Sequence, residues 1–345
     1  MSCAVGTTLL PICQMCPDIR EKNLLSAHFD DLSRIGRLSD KVFYFASPNT
    51  EIMATIKINS LSKTYPNGVK ALDDVSLEIQ NGMFGLLGPN GAGKSSLMRT
   101  LATLQEADTG TAFLDDIDIL NQPYELRKVL GYLPQEFGVY SRVTAEQILD
   151  HLAILKGVAN KRERKELVHY LLQKVNLYDK RNKSVKGFSG GMKQRVGIAQ
   201  ALIGNPRLII VDEPTAGLDP GERNRFHNLL AEVGDEVIVI LSTHIVADVV
   251  ELCSDMAIMN LGEIVYKGSP ANALKELSGK VWMKTIDREE LDSYKAQHQV
   301  ISDKMVAGNP QIHVLSDTNP GEGFVQVEPN LEDAFFTKIN ESVKA

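Results

Sequence analysis

The chain has 345 residues, 43% of them hydrophobic, enough to bury a core in each of about two domains. Its formal net charge of -7 argues against a surface dedicated to nucleic acid, which needs a basic excess. Four cysteines, at positions 3, 13, 16 and 253, are too few to staple so long a chain and match a reducing cytosol.

Residues 1–52 differ in pattern from the rest of the chain. The start has neither the basic n-region nor the uninterrupted apolar core of a secretion signal, and no run of about 18 apolar residues occurs anywhere, so the chain is expected in the cytoplasm. Cys13 and Cys16 form a lone C-x-x-C that reads as incidental, because zinc needs four ligands. Leu25, Phe29, Leu32 and Ile35 fall at helical spacing before "ASPNTEI" breaks the pattern. This segment is either an appendage or an upstream extension of the reading frame, with Met53 as the candidate true start.

From Met53 the text becomes strand-like. "ATIKINSLSKTY" and "VKALDDVSLEI" alternate apolar and polar residues as half-buried antiparallel strands do. The later runs "MFGLL" (83–87), "LIIV" (208–211) and "VIVIL" (237–241) are continuously apolar, which fits a parallel sheet covered on both faces by helices. Helical text, including "AEQILDHLAILKG" and "KRERKELVHYLLQKV", fills about 138–188, with the charges of "KRERKE" expected on a solvated face. Cys253, in "VADVVELCS", reads as a small core residue. Beyond about residue 278, "KVWMKTI", "QIHVLS" and "GFVQVE" read as short strands around a helical "REELDSYKAQH", a small α+β tail domain over 278–345.

Two stretches carry the chemistry. "GPNGAGKSS", 88–96, has the spacing G-x-x-x-x-G-K-[ST] between an apolar strand and a helix, the context a phosphate-binding loop requires. Its glycines let backbone N–H groups and a helix N-terminus face negative charge; Lys94 adds a full positive charge and Ser95 offers a hydroxyl to magnesium. The whole run Gly88, Pro89, Asn90, Gly91, Ala92, Gly93, Lys94, Ser95 and Ser96 is assigned to the nucleotide. "LIIVDE", 208–213, ends a buried strand in two carboxylates, placing Asp212 to hold Mg²⁺ and Glu213 to act as a base for water. Together the two stretches point to nucleotide hydrolysis.

These residues, with "FSGGMKQR" at 188–195 and the order of the motifs, resemble the ATP-binding subunits of ATP-binding cassette (ABC) transporters over about residues 55–275. The resemblance implies an α/β P-loop cassette over 53–277, with a mixed-sheet core, an antiparallel β-subdomain and a helical subdomain. It implies ATP and Mg²⁺ as cofactors. It implies that Tyr65 stacks on adenine, that Gln135 touches magnesium and the attacking water, that His244 meets the γ-phosphate, and that Asp219 lies at the contact between subunits. Ser189, Gly190 and Gly191 then complete the ATP site of a second copy or a homologous subunit, with Phe188 and Met192 departing from the usual Leu and Gln. An integral membrane permease subunit is the implied second partner, docking beside Gln135 near Tyr140 and Val143, with the chain peripheral on the inner face of the membrane. No nucleic-acid partner is expected. "VEPNLEDAFF", 327–336, resembles the close of bacterial ABC-2-type exporters, including drug and antibiotic efflux systems and relatives of a sodium exporter, and so favours export. The alternative is a soluble ABC ATPase acting on ribosomes or DNA, although such proteins generally carry two cassettes or a long coiled-coil insertion. A chain begun at Met53 is expected to fold and to hydrolyse ATP at the full-length rate in a phosphate-release assay; loss of solubility or activity would show that the leader packs on the core.

Overall fold

The computed structural model of the protein describes residues 54–135, 143–215, 217–234 and 237–344. The leader up to residue 53, with Cys13 and Cys16, and Tyr140 lie outside them.

Alternation at period two builds the first sheet. Strands β1 (Thr55–Thr64) and β2 (Lys70–Gln80) pair antiparallel, and β4 (Thr109–Leu114) and β5 (Ile117–Asp118) extend the sheet in the order β2-β1-β4-β5. Ile56, Ile58, Leu77 and Ile79 point inward while Lys57, Asn59, Glu78 and Gln80 face solvent.

The continuously apolar runs form a second sheet. It contains β3 (Gly82–Leu87), β6 (Leu130–Leu133), β7 (Leu208–Asp212), β8 (Ile238–Thr243), β9 (Asp255–Asn260) and β10 (Glu263–Gly268) in the order β10-β9-β3-β8-β7-β6. All pairs are parallel except β10 with β9. Successive residues of one strand serve different cores, which is why the runs lack polar positions. Leu208, Ile210, Ile238 and Ile240 join the core shared with the first sheet and helix α1 (Lys94–Leu101). Ile209, Val211, Val239 and Leu241 join the core formed with the helices of the opposite face.

Between β6 and β7 lie α3 (Ala145–Leu155), α4 (Lys161–Lys174) and α5 (Gly190–Ala201); α2 (Pro123–Val129) precedes β6. Thr144 and Gln147 close a capping box on α3, and Asn160 caps α4. The charged start of α4 is exposed at Lys161, Arg162, Glu163 and Lys165, but Arg164 is turned inward. Its Nε donates to Asp150 at 2.6 Å and its Nη1 to the carbonyls of Val158 and Ala159, so that one arginine departs from the expected solvated face. Val143 packs against the core. Cys253 is buried beyond α7 (Val246–Leu252), and burial, with the charge of Asp248 nearby, pushes its thiol up to about 12.

After α8 (Pro270–Leu277), strands β11 (Val281–Thr285), β12 (Val300–Val306), β13 (Asn309–Leu315) and β14 (Val325–Gln326) form an antiparallel sheet in the order β12-β13-β11-β14, with α9 (Leu291–Gln297) beside it. Ile286, Ile312, Val314 and Phe324 make its small core. Helix α10 (Leu331–Lys344) begins at the closing motif. Asp333, fully buried, accepts from Ser302 Oγ at 3.2 Å and from the Asn330 backbone N–H at 3.0 Å, and lies 2.7 Å from His313 Nδ1. One carboxylate thus ties β12 and β13 to α10. Asp333→Ala strands these partners and should lower stability by about 3 kcal/mol in urea unfolding.

Candidate functional site

Strand register brings the sequence motifs to one edge. Leu87 pairs with Thr243, Asp212 with Ser242 and Leu133 with Val211, so the segments that follow β3, β6, β7 and β8 all leave the sheet at its carboxyl edge. In open α/β sheets that edge is where ligands bind.

The loop after β3 enters α1 through Gly93, which has φ 107° and would place a Cβ 2.3 Å from the Ala71 carbonyl oxygen. Only glycine meets both conditions. The first helical residue is Lys94, almost fully buried, whose Nζ donates to the Gly88 carbonyl at 2.8 Å and the Pro89 carbonyl at 3.2 Å. The same Nζ lies 3.4 Å from Glu213 Oε1. Ser95 Oγ donates to Asp212 Oδ1 at 3.5 Å, and Ser242 Oγ donates to the same oxygen at 2.6 Å.

Glu213 sits between Lys94 and His244. Its Oε2 is 2.7 Å from His244 Nδ1, its backbone adopts φ 48°, and its N–H donates to the Ser242 carbonyl at 3.0 Å. Left-handed backbone at a non-glycine residue is strained, and such strain collects at functional sites. Asp212 and Glu213 are 2% and 6% exposed, whereas the His244 side chain is 45% exposed, so the carboxylates are fixed and the imidazole faces outward. Burial pushes the neighbouring Tyr132 phenol up, and the charge of Asp212 pushes it further. Tyr65 Oη lies 3.0 Å from Ser96 Oγ and donates to Gln105 at 2.8 Å, placing its ring beside the start of α1. Gln135 is exposed, two residues beyond β6.

Ser189, Gly190, Gly191 and Asp219 form a second group. Among the described residues no hydrogen bond joins them to the first. Ser189 is exposed and its Oγ caps α5 by accepting from the Met192 N–H at 3.3 Å. Asp219 Oδ1 accepts from the Glu222 N–H at 2.9 Å at the start of α6 (Pro220–Gly234). Glu222 in turn takes Arg195 Nη1 of α5 at 2.7 Å. A Cβ on Gly191 would lie 2.4 Å from Glu222 Oε2, so this glycine admits the carboxylate that clamps α5 to α6. Phe188 is buried in the core, which makes its departure from leucine a matter of packing.

A family model described as ABC transporter matches residues 72–216. The chain is 33% identical over 294 residues to the "Uncharacterized ABC transporter ATP-binding protein YxlF" of Bacillus subtilis (strain 168), a match covering 84% of this chain and 97% of that protein. It belongs to the family of ABC transporter ATP-binding proteins. The match to the "Probable multidrug ABC transporter ATP-binding protein YbhF" of Escherichia coli (strain K12) is 33% identical over 298 residues and covers 82% of this chain; the chain spans 51% of that relative's length. Among solved structures, the dimeric ATP-binding cassette MJ0796 in a post-hydrolysis state bound to ADP and Pi aligns with TM-score 0.57 and 27% identity, covering 62% of this chain and 98% of that one. The α/β fold expected from the sequence is that of the ABC cassette.

Sequence reasoning did not single out Ser242, which supports Asp212, nor Arg195 and Glu222, which join the two helices of the second group. A serine before "TH" in an apolar strand carries no signal of its own, and Arg195 and Glu222 meet only in the fold. Gly93→Ala combines the strained φ with the Ala71 contact and should weaken ATP binding at least about tenfold by fluorescent-nucleotide titration.

Proposed function

We propose that the cassette binds and hydrolyses ATP at sites completed by a second cassette, and that the resulting motion drives transport through a membrane-spanning partner. The observation that carries the hydrolytic part is Glu213, a buried carboxylate held between Lys94 at 3.4 Å and His244 at 2.7 Å. In this reading Glu213 takes the proton of the attacking water, His244 orients that carboxylate and reaches the γ-phosphate, and Lys94 turns its charge from the loop carbonyls to phosphate oxygens.

Ser95 and Asp212, 3.5 Å apart, offer the hard oxygen donors that magnesium takes, with Gln135 as the third assigned ligand. Magnesium supplies charge neutralisation of the phosphates when bound. The run 88–96 holds the triphosphate and Tyr65 the adenine.

The second group fits the complementary role. Ser189 and Gly190 are exposed at the N-terminus of a 12-residue helix, whose positive end suits a phosphate. A head-to-tail pair places this surface over the partner's ATP, beside Asp219, so ATP closes the dimer and hydrolysis reopens it. The dimeric state of MJ0796 supports that arrangement.

Among the described residues no helix is long and apolar enough to cross a membrane. In this reading the chain sits at the cytoplasmic face of the membrane, where a permease subunit receives the motion. In this reading the closing tail motif, by its resemblance to that of exporters, supports export. We also infer three segments of the chain: the leader up to residue 52, the cassette over 53–277 with its helical part at about 138–188, and the tail over 278–345, whose closing helix packs into the larger cassette core.

Glu213→Gln keeps size and a hydrogen bond but removes the base, so turnover should fall about 100- to 10,000-fold while ATP binding survives. In light scattering with Mg-ATP this variant should run as a dimer, and Ser189→Arg added to it should restore the monomer. Hydrolysis at the parent rate would remove Glu213 as base, and a monomer at saturating Mg-ATP would remove the sandwich.

A further inference from the structure

Behind the base and the histidine lies a carboxylate that the hydrolytic reading does not use. Asp248, in α7, is fully buried, and both of its oxygens are engaged twice. Oδ2 accepts from Thr215 Oγ1 at 2.7 Å and from Thr243 Oγ1 at 3.1 Å. Oδ1 accepts from Arg223 Nε at 2.8 Å and lies 2.9 Å from His227 Nε2, while Arg223 Nη2 adds an ion-pair contact at 2.6 Å. Four partners use the roughly four acceptor positions that an ionised carboxylate has.

The four partners come from three places that matter. Thr215 is two residues beyond Glu213. Thr243 immediately precedes His244, and its hydroxyl also accepts from the Ile245 N–H at 2.9 Å, so the backbone on both sides of His244 is held. Arg223 and His227 lie on α6, one and two turns beyond Asp219 and beside Glu222, the residue that clamps α6 to the Ser189 helix. Glu251, also in α7, braces His227 from the other side at 2.6 Å from its Nδ1.

We propose that Asp248 is a positioning residue that couples the partner-facing surface of Asp219, Glu222 and Ser189 to the Glu213–His244 pair. The coupling runs from α6 through Arg223 and His227 to Asp248, and from there through two threonine hydroxyls to the loops that carry base and histidine. It needs no large motion. Buried polar networks have few alternative arrangements, so a small shift of α6 on docking is passed on rather than absorbed. Fully buried behind the pair, Asp248 acts through Thr215 and Thr243. The proposal rests on the reading of this chain as an ATPase that works as a dimer.

The test is steady-state ATP hydrolysis by the full chain carrying Arg223→Gln, Thr215→Val or both, with Thr215→Ser as the conservative control. Arg223 is partly exposed and Thr→Val is nearly isosteric, so these changes spare the fold better than removal of Asp248 itself. Each single change should lower kcat about tenfold or more through misplacement of the reacting groups. KM for ATP should stay within about twofold, because the phosphate loop is untouched. Thr215→Ser should keep the parent kcat. The double variant should match the poorer single, since one connection is cut twice.

Unchanged kcat in both singles overturns the proposal. So do effects that multiply in the double, a loss shared by Thr215→Ser, or a fall in kcat matched by equal loss of bound fluorescent ATP. An inactive parent chain would sink the ATPase reading and this proposal together, whereas an active parent with indifferent variants sinks this proposal alone.

Discussion

Lys94 and Glu213 face each other at 3.4 Å with side chains only 5% and 7% exposed, and the carboxyl edge of the central sheet is arranged around that pair. Removing two ions from water costs several kcal/mol each, by about the amount that a well-packed apolar pair avoids, so the contact is a poor device for stability alone. Its cost is offset locally. Lys94 gains two loop carbonyls, Glu213 gains His244, and the Glu213 N–H is held by the Ser242 carbonyl of the adjacent strand. A buried cation and carboxylate held in this way suit a site whose ligand brings several negative charges of its own.

The strained backbone at Glu213 belongs to the same economy of position. Asp212 completes β7 and is buried beneath Ser95 and Ser242, so the chain must turn sharply at the next residue to aim a second carboxylate along the edge. A left-handed φ of 48° does this at a cost of about 1–3 kcal/mol. Extended backbone at that residue would send successive side chains to opposite faces. Asp212 and Glu213, the proposed metal donor and base, can therefore be sequence neighbours only because the turn between them is held from β8.

Much of this was legible in the sequence because local chemistry and topology coincide there. The run 88–96 needs glycines and a lysine at set spacing, and a buried strand ending in Asp212 and Glu213 announces its own end. The second sheet was readable from unbroken apolar runs, though β6, β9 and β10 were not among them; in the tail sheet β12 escaped as well, because the charged residues of "DKMV" at its end hide the pattern. What escaped is what depends on distant pairing. Asp248 meets Thr215 and Arg223 across 33 and 25 residues, and neither separation has a periodicity to betray it. Arg164 escaped for the opposite reason: a charge run reads as solvated, and only the position of Asp150 one helix earlier turns that residue inward.

The closing "LEDAFF" shows how a family resemblance and a physical role can differ. Leu331, Ala334 and Phe335 are buried in the larger core, and Asp333 holds β12 and β13 onto α10. These residues anchor the tail helix, which also reaches β9 through the Asn260–Ser342 hydrogen bond at 2.9 Å. Asn260 directly follows Met259, whose carbonyl lies against Gly88 of the phosphate loop. The contacts of the motif itself are those of packing and of the Asp333 anchor, so its bearing on the direction of transport rests on the resemblance alone. In the proposed transport reading, direction and substrate would both be set by whatever the exposed surface meets.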